Sequence, residues 1–424
     1  MNNTIRGAAL ACGALILVSG TAFAAQPPDQ VDKSVLAGAR LIMDPVAPNL
    51  NAFTPAVAGI DTVVNFQGSF NARGVDSTGH RQFTWPWAMV GNSPAAGGTT
   101  TLSAPVIPVA VRLLDASGQQ RYVNGHRLYL SPGDNVNRAL RSPVFANSSF
   151  SSSSEPTQFT DAVQRAEFWS QMTQDWHTLL APQVKERRVM SVPLGSYRFA
   201  LNADGGCCAF VLIDVNEFSN LLFPPTFPVD DTTVIGAAEL AGDMTTTSIA
   251  TLLFQDIYLF QNGDPKQCCV LGFHSFDFEP GVPENGNLPR AYVMNYSSWI
   301  SPGLFGGGFQ DVAALSHEMA EIFNDPLVTA INNLNFTPWW LSGGNCGNVL
   351  EVGDVIEGLP NPTFTVRMNG FTYHGQNVAL LQWFEFNHHP DSLGGAYSYP
   401  DPSVLPRLSV PQQAGCTGPL HIDD

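Results

Sequence analysis

The stretch FQDVAALSHEMAEIFNDP, residues 309–326, decides how the rest of the chain is read. Val312, Leu315, Met319, Ile322 and Phe323 recur at helical spacing and form one apolar stripe. His317 and Glu321 are one helical turn apart, so they stand one above the other on a single face. At about 100° per residue that face is turned well away from the stripe. Ala313, Ala314 and Ala320 keep the surroundings of the polar pair small. Gly306, Gly307 and Gly308 precede the stretch, Asp311 lies in its first turn and Pro326 marks its exit. The pattern predicts one amphipathic helix over 309–326.

The polar face reads His-Glu-x-x-Glu, a variant of the His-Glu-x-x-His zinc motif. A neutral imidazole and a carboxylate at this spacing reach one cation from one helical wall, and both are zinc ligands. Glu318 would lie beside a metal-bound water, placed to take its proton as a general base. A third ligand is sought downstream, where Glu351 and Asp354 follow a Gly-rich turn. Glu351 is the choice, with Asp354 as its reserve or as an acceptor that orients His317. Tyr373 and His374, in a turn between two expected strands, are candidates to face the cleft and donate to an oxyanion. The plain alternative is a solvated polar helix face followed by an acidic loop. His274, alone near the end of a strand, reads as a structural hydrogen-bonding residue, and His177 as a surface or capping residue.

The chain opens as a targeting segment. Arg6 supplies a positive charge, residues 8–18 are apolar, and Ala22-Phe23-Ala24 has the form of a cleavage site. A mature protein beginning near Ala25 would be exported, periplasmic or extracellular, and not inserted in the membrane. Of seven cysteines, Cys12 falls in the leader, leaving Cys207, Cys208, Cys268, Cys269, Cys346 and Cys416. An even number in an exported chain favours disulfides. Strand neighbours face opposite ways, so each vicinal pair should send its sulfurs apart; six cysteines allow 15 pairings that sequence does not choose among, and the expectation adopted is one link between the 207/208 and 268/269 segments and another from Cys346 to Cys416. The net charge of -17 argues against nucleic acid or an anionic membrane as partner and suits cations. Hydrophobic residues make up 44% of the 424, ample for a core. Nothing in the sequence fixes an oligomeric state.

The serine tract at 147–154 is the clearest boundary. It divides a leader at 1–24 and a β-rich region at 25–155 from a metal-site domain at 156–424. Strands are expected at 62–70 and 106–114, with a hairpin about Asn124-Gly125. Beyond the tract, 160–172 reads as helix, and 188–201, 209–218, 268–276, 290–296, 363–367 and 377–386 read as strands. Residues 233–242 and 246–254 fit either type.

Gly272-Phe273-His274, Tyr292, Ser316-His317-Glu318-Met319-Ala320-Glu321, Asp325-Pro326, Glu351-Val352-Gly353-Asp354 and Gln382-Trp383 together resemble a family of exported bacterial zincin-like metallopeptidases related to the plant exordium, or phosphate-induced, proteins. The similarity covers roughly 265–390. It implies an α+β fold with a zincin-like core, a mixed sheet and an active-site helix. It also implies zinc-type ligands at His317 and Glu321, with Glu318 as base. Glu321 stands where the zincins have their second histidine, which hardens the site and brings Ca2+ or Mn2+ into view behind Zn2+. The expected function is a secreted zinc peptidase acting on a peptide or protein. The alternative is a non-catalytic exported binding or cell-surface protein with a structural metal or none, in which Trp85, Trp87, Trp339 and Trp340 serve glycan or peptide binding.

Overall fold

The structure, a computed structural model, describes residues 27–37, 59–73, 82–152, 155–224, 231–328, 339–340, 346–347, 350–385 and 387–408. The expected leader lies outside these residues, as does Cys416 and with it the expected link to Cys346. Strand residues outnumber helical ones, 36% to 20%, and the fold is α+β.

Its spine is strand β1, Thr99–Leu113. From Ala104 to Val111 every residue of β1 is buried, as expected of a strand covered on both faces. Strand β2, Tyr129–Leu130, pairs antiparallel with the end of β1. After helix α1, Phe159–Glu167, come strands β3, His177–Val184, and β4, Arg188–Val192. These two run parallel to successive halves of β1, in register Thr99 to His177 and Val109 to Arg188. Strand β5, Cys207–Asp214, belongs to a separate four-stranded sheet with Tyr197–Leu201, Ile257–Phe260 and Cys268–Val270. Strand β6, Ala250–Gln255, then returns to β1 in parallel, with Thr251 opposite Val106. Strands β7, Gly272–Glu279, and β8, Arg290–Trp299, complete the seven-stranded mixed sheet, β8 parallel to β6 and β7 antiparallel at the edge. The segments before and after the serine tract therefore share one sheet, with a strand from before the tract at its centre.

The helix expected at 309–326 is α2, Ala313–Asn324, shorter at both ends. Asp311 takes a positive φ of 44° just ahead of it, and its carboxylate accepts from the Val312 and His374 amides at 2.7 and 2.8 Å. The apolar stripe packs into a core with Val293, Trp299 and Tyr373. Helix α2 lies against β7, β8 and α1. Beyond it come helix α3, Asp354–Glu357, and the hairpin of β9, Thr363–Met368, with β10, Phe371–Gln376. Among the described residues no helix is long and apolar enough to cross a membrane.

Some expectations are corrected. Residues 209–218 are strand only as far as Asp214, whose carboxylate then accepts from the Asn216 and Glu217 amides and starts the helix Val215–Leu222. The expected strand at 377–386 is a two-residue strand, Val378–Ala379, followed by the short helix Leu381–Phe384. Its Leu381 amide donates to Glu167 from α1, a partner no local pattern reveals. The ambiguous segments resolve as the helix Val234–Leu240 and strand β6. The two cysteine pairs are not linked to each other. Cys207 is bonded to Cys208 and Cys268 to Cys269, each pair across a cis peptide with its Cα atoms 3.0 Å apart. Sulfurs expected to point apart are joined within each pair instead.

Candidate metal centre

Both faces of α2 are buried, so the polar face does not meet bulk solvent. It faces a narrow cleft floored by the start of β7 and closed by the 350–357 segment and Gln376. Five carboxylates line this cleft, Glu318, Glu321, Glu351, Asp354 and Glu357, against two histidines, His274 and His317. Among the described residues no lysine or arginine lines it.

On α2, His317 Nε2 lies 3.0 Å from Glu321 Oε1 and 3.3 Å from Asp354 Oδ1, and 4.0 Å from Glu318 Oε1. The opposite ring nitrogen, Nδ1, sits 2.9 Å from Gln376 Oε1. Gln376 is oriented by its own amide, which donates to the Gly353 carbonyl at 2.8 Å, so its oxygen is left to accept. His317 must therefore carry hydrogen on Nδ1, and its Nε2 lone pair in the neutral ring points at the carboxylates. The main chain of β10 holds the helix here, because the Gln376 amide donates to Ser316 Oγ at 2.9 Å. Glu321 Oε1 accepts from the Gly353 and Asp354 amides at 3.0 and 3.3 Å. Gly353 comes so close that a Cβ there would stand 2.7 Å from His317 Nδ1.

His274 is the functional candidate that the sequence reading set aside. Its Nδ1 lies 3.3 Å from Glu321 Oε2, 3.6 Å from Glu318 Oε2 and 3.7 Å from Glu351 Oε2. A usable signal was the Gly-x-His start of β7. Alternation puts Gly272 and His274 on one face, and a Cβ at Gly272 would collide with Glu318 Oε1 at 2.6 Å. Glu357 and Gln376 also went unread. The buried groups fall into two sets that could hold a metal ion, His317 with Glu321 and Asp354, and His274 with Glu321 and Glu351.

Of the residues expected at the site, His317, Glu318, Glu321, Glu351 and Asp354 come together, with Glu351 on the His274 side and Asp354 on the His317 side. Tyr373 and His374 do not join them. Tyr373 is buried in the core against α2, where its hydroxyl donates to the Arg138 carbonyl at 3.0 Å. His374 is held by Asp311 at 2.7 Å and by Gln310. Both are fixed by partners remote in sequence. Trp87 is buried among Phe66, Phe168 and Trp176, so it presents no open binding surface. The side chains of Trp85, Trp339 and Trp340 lie outside the described residues.

Electrostatics follow from burial of this many acids. Burial alone would discourage charge on His317, but Glu321 and Glu318 outweigh it and raise the ring's pKa well above its usual value. His274 is raised in the same way, against burial, by Glu351, Glu318 and Glu321. Burial and the Glu321 charge push Glu351 well up, and push Asp354 up to about 7. Burial raises Glu357 to about 8. Glu321, despite burial, is held below the usual carboxylate range by His317 and His274.

Comparisons of the chain with protein-family models, with curated proteins and with solved structures each return no match.

Proposed function

We propose that this chain is a metal-dependent hydrolase, a zinc peptidase in which Glu318 is the general base, and that it belongs with the exported zincin-like metallopeptidases its motifs resemble. The observation that carries the reading is the convergence of His317, Glu321 and Asp354 in a buried cleft with Glu318 beside them. Ligands about 2.0–2.1 Å from a tetrahedral zinc stand about 3.3 Å from one another. The His317 separations of 3.0 and 3.3 Å fit that requirement. His317, Glu321 and Asp354 would hold the ion. Asp354 takes the place in that set first given to Glu351.

A zinc bound here supplies a Lewis acid and an acidified water. The remaining work falls to the chain. Gln376 holds His317 in the one tautomer that can ligate. The Gly353 and Asp354 amides fix Glu321. Among the described residues Glu318 accepts no backbone bond of this kind, and burial first of all raises its pKa. A carboxylate so placed accepts a proton from water at one oxygen and returns it to the leaving amine. Export is part of the same proposal. It is supported by the leader-like residues 1–24 and by two cystines, which suit an oxidising compartment.

The test is Glu318→Gln, assayed on a peptide library together with elemental analysis. Zinc should stay bound while turnover falls on the order of 10²–10⁴-fold. Undiminished turnover would remove Glu318 from the mechanism. A purified wild type without metal, unchanged in His317→Ala, would favour a non-catalytic binding protein.

A further inference from the structure

We propose that the cleft holds two divalent cations bridged by Glu321, the second of them bound by His274 and Glu351. The proposal rests on the reading of His317, Glu321 and Asp354 as a metal site and adds a partner to it.

The two oxygens of Glu321 face different histidines, Oε1 at 3.0 Å from His317 Nε2 and Oε2 at 3.3 Å from His274 Nδ1. His274 is prepared for ligation as His317 is. Its Nε2 lies 3.0 Å from the Asp325 carbonyl, which can only accept, so Nε2 carries the hydrogen and the neutral ring aims the Nδ1 lone pair into the cleft. There it meets three carboxylates at 3.3, 3.6 and 3.7 Å. One N–H cannot serve three acceptors, and the two longer separations exceed a normal hydrogen bond. They suit ligands arranged around an ion.

Glu351 is a second, independent sign. It is 3% exposed, and its Oε1 has no hydrogen-bond partner among the described residues. A buried carboxylate oxygen left in that state calls for an unseen partner. Charge points the same way. Against five carboxylates in the lining, one divalent ion leaves a large excess of negative charge, and two nearly balance it. A set of one imidazole and several carboxylates suits Zn2+ or Mn2+.

The experiment uses the full-length protein, stripped by chelator and reloaded with Zn2+ or Mn2+. Metal per chain is counted by elemental analysis, and the Mn2+ form is examined by electron paramagnetic resonance. The wild type should take up two ions and show the spectrum of an exchange-coupled pair. His274→Asn and Glu351→Gln should each take up one and show an isolated ion, with circular dichroism unchanged. Glu351→Gln preserves shape and carries the test if His274→Asn does not fold. One ion in the wild type, kept in both variants, overturns the second site and leaves the first standing. Two ions in the wild type and still two in the variants overturn the assignment of His274 and Glu351. No ion of either kind overturns both the second site and the reading beneath it.

Discussion

Each histidine of the cleft spends one nitrogen on an acceptor and turns the other toward carboxylates. For His317 the acceptor is a side chain, Gln376, and this makes the arrangement open to test. Gln376→Leu keeps the bulk and removes the acceptor. We expect about 10–100-fold weaker zinc binding, the usual cost of losing an orienting partner, read by competition with a chromogenic chelator. An unchanged affinity would mean that the α2 backbone alone fixes the ring. At this scale the sequence was partly legible. The His317–Glu321 spacing announced itself because both residues sit on one helix. His274 and Gln376 reach the same point from strands far away in sequence, and no spacing rule connects them. Tyr373 was misjudged for the same reason, since its partner is a carbonyl in another segment.

Helix α2 carries two jobs on opposite faces, and both faces are covered. Met319 is fully buried in the core under the apolar stripe. Met319→Ala should cost about 2–5 kcal/mol of stability, the range for emptying such a site. The check is urea unfolding followed by circular dichroism, and a loss under about 1 kcal/mol would show that the core closes over the gap. The apolar period of this helix was plain in the sequence, and so were its Gly and Pro borders. The helix starts later than expected because Asp311 bends the chain sharply before the first turn, and stops earlier because Asp325, ahead of Pro326, leaves the helical region. Elsewhere, elements were misread where a single polar group overrode the pattern. Asp214 caps a helix inside an apolar run, and Glu167 starts one in a segment that alternates like a strand.

Taken whole, the molecule closes an α+β fold around a cleft with far more acid than base. Removing the proposed cations should therefore loosen all of it. With a chelator, the midpoint of thermal unfolding should fall, and metal at 100 times its dissociation constant should restore about 2.7 kcal/mol. Scanning calorimetry with and without added zinc reads this directly, and identical traces would count against a bound ion. The mixed class was legible from strand-like and helix-like periods along the chain. The order of strands was not, because parallel pairing joins segments that share no local signal.

Strand β1 settles a matter of maturation. For the exported hydrolase proposed above, removal of the segment before the serine tract would be one way to open a cleft. Here that segment supplies the strand on which β3, β4 and β6 all pair. A cut at the serine tract followed by release of everything before it would pull out the middle of the sheet. On the metal-hydrolase reading proposed above, any latency would have to be controlled by a smaller piece than residues 25–155, or by the supply of metal itself.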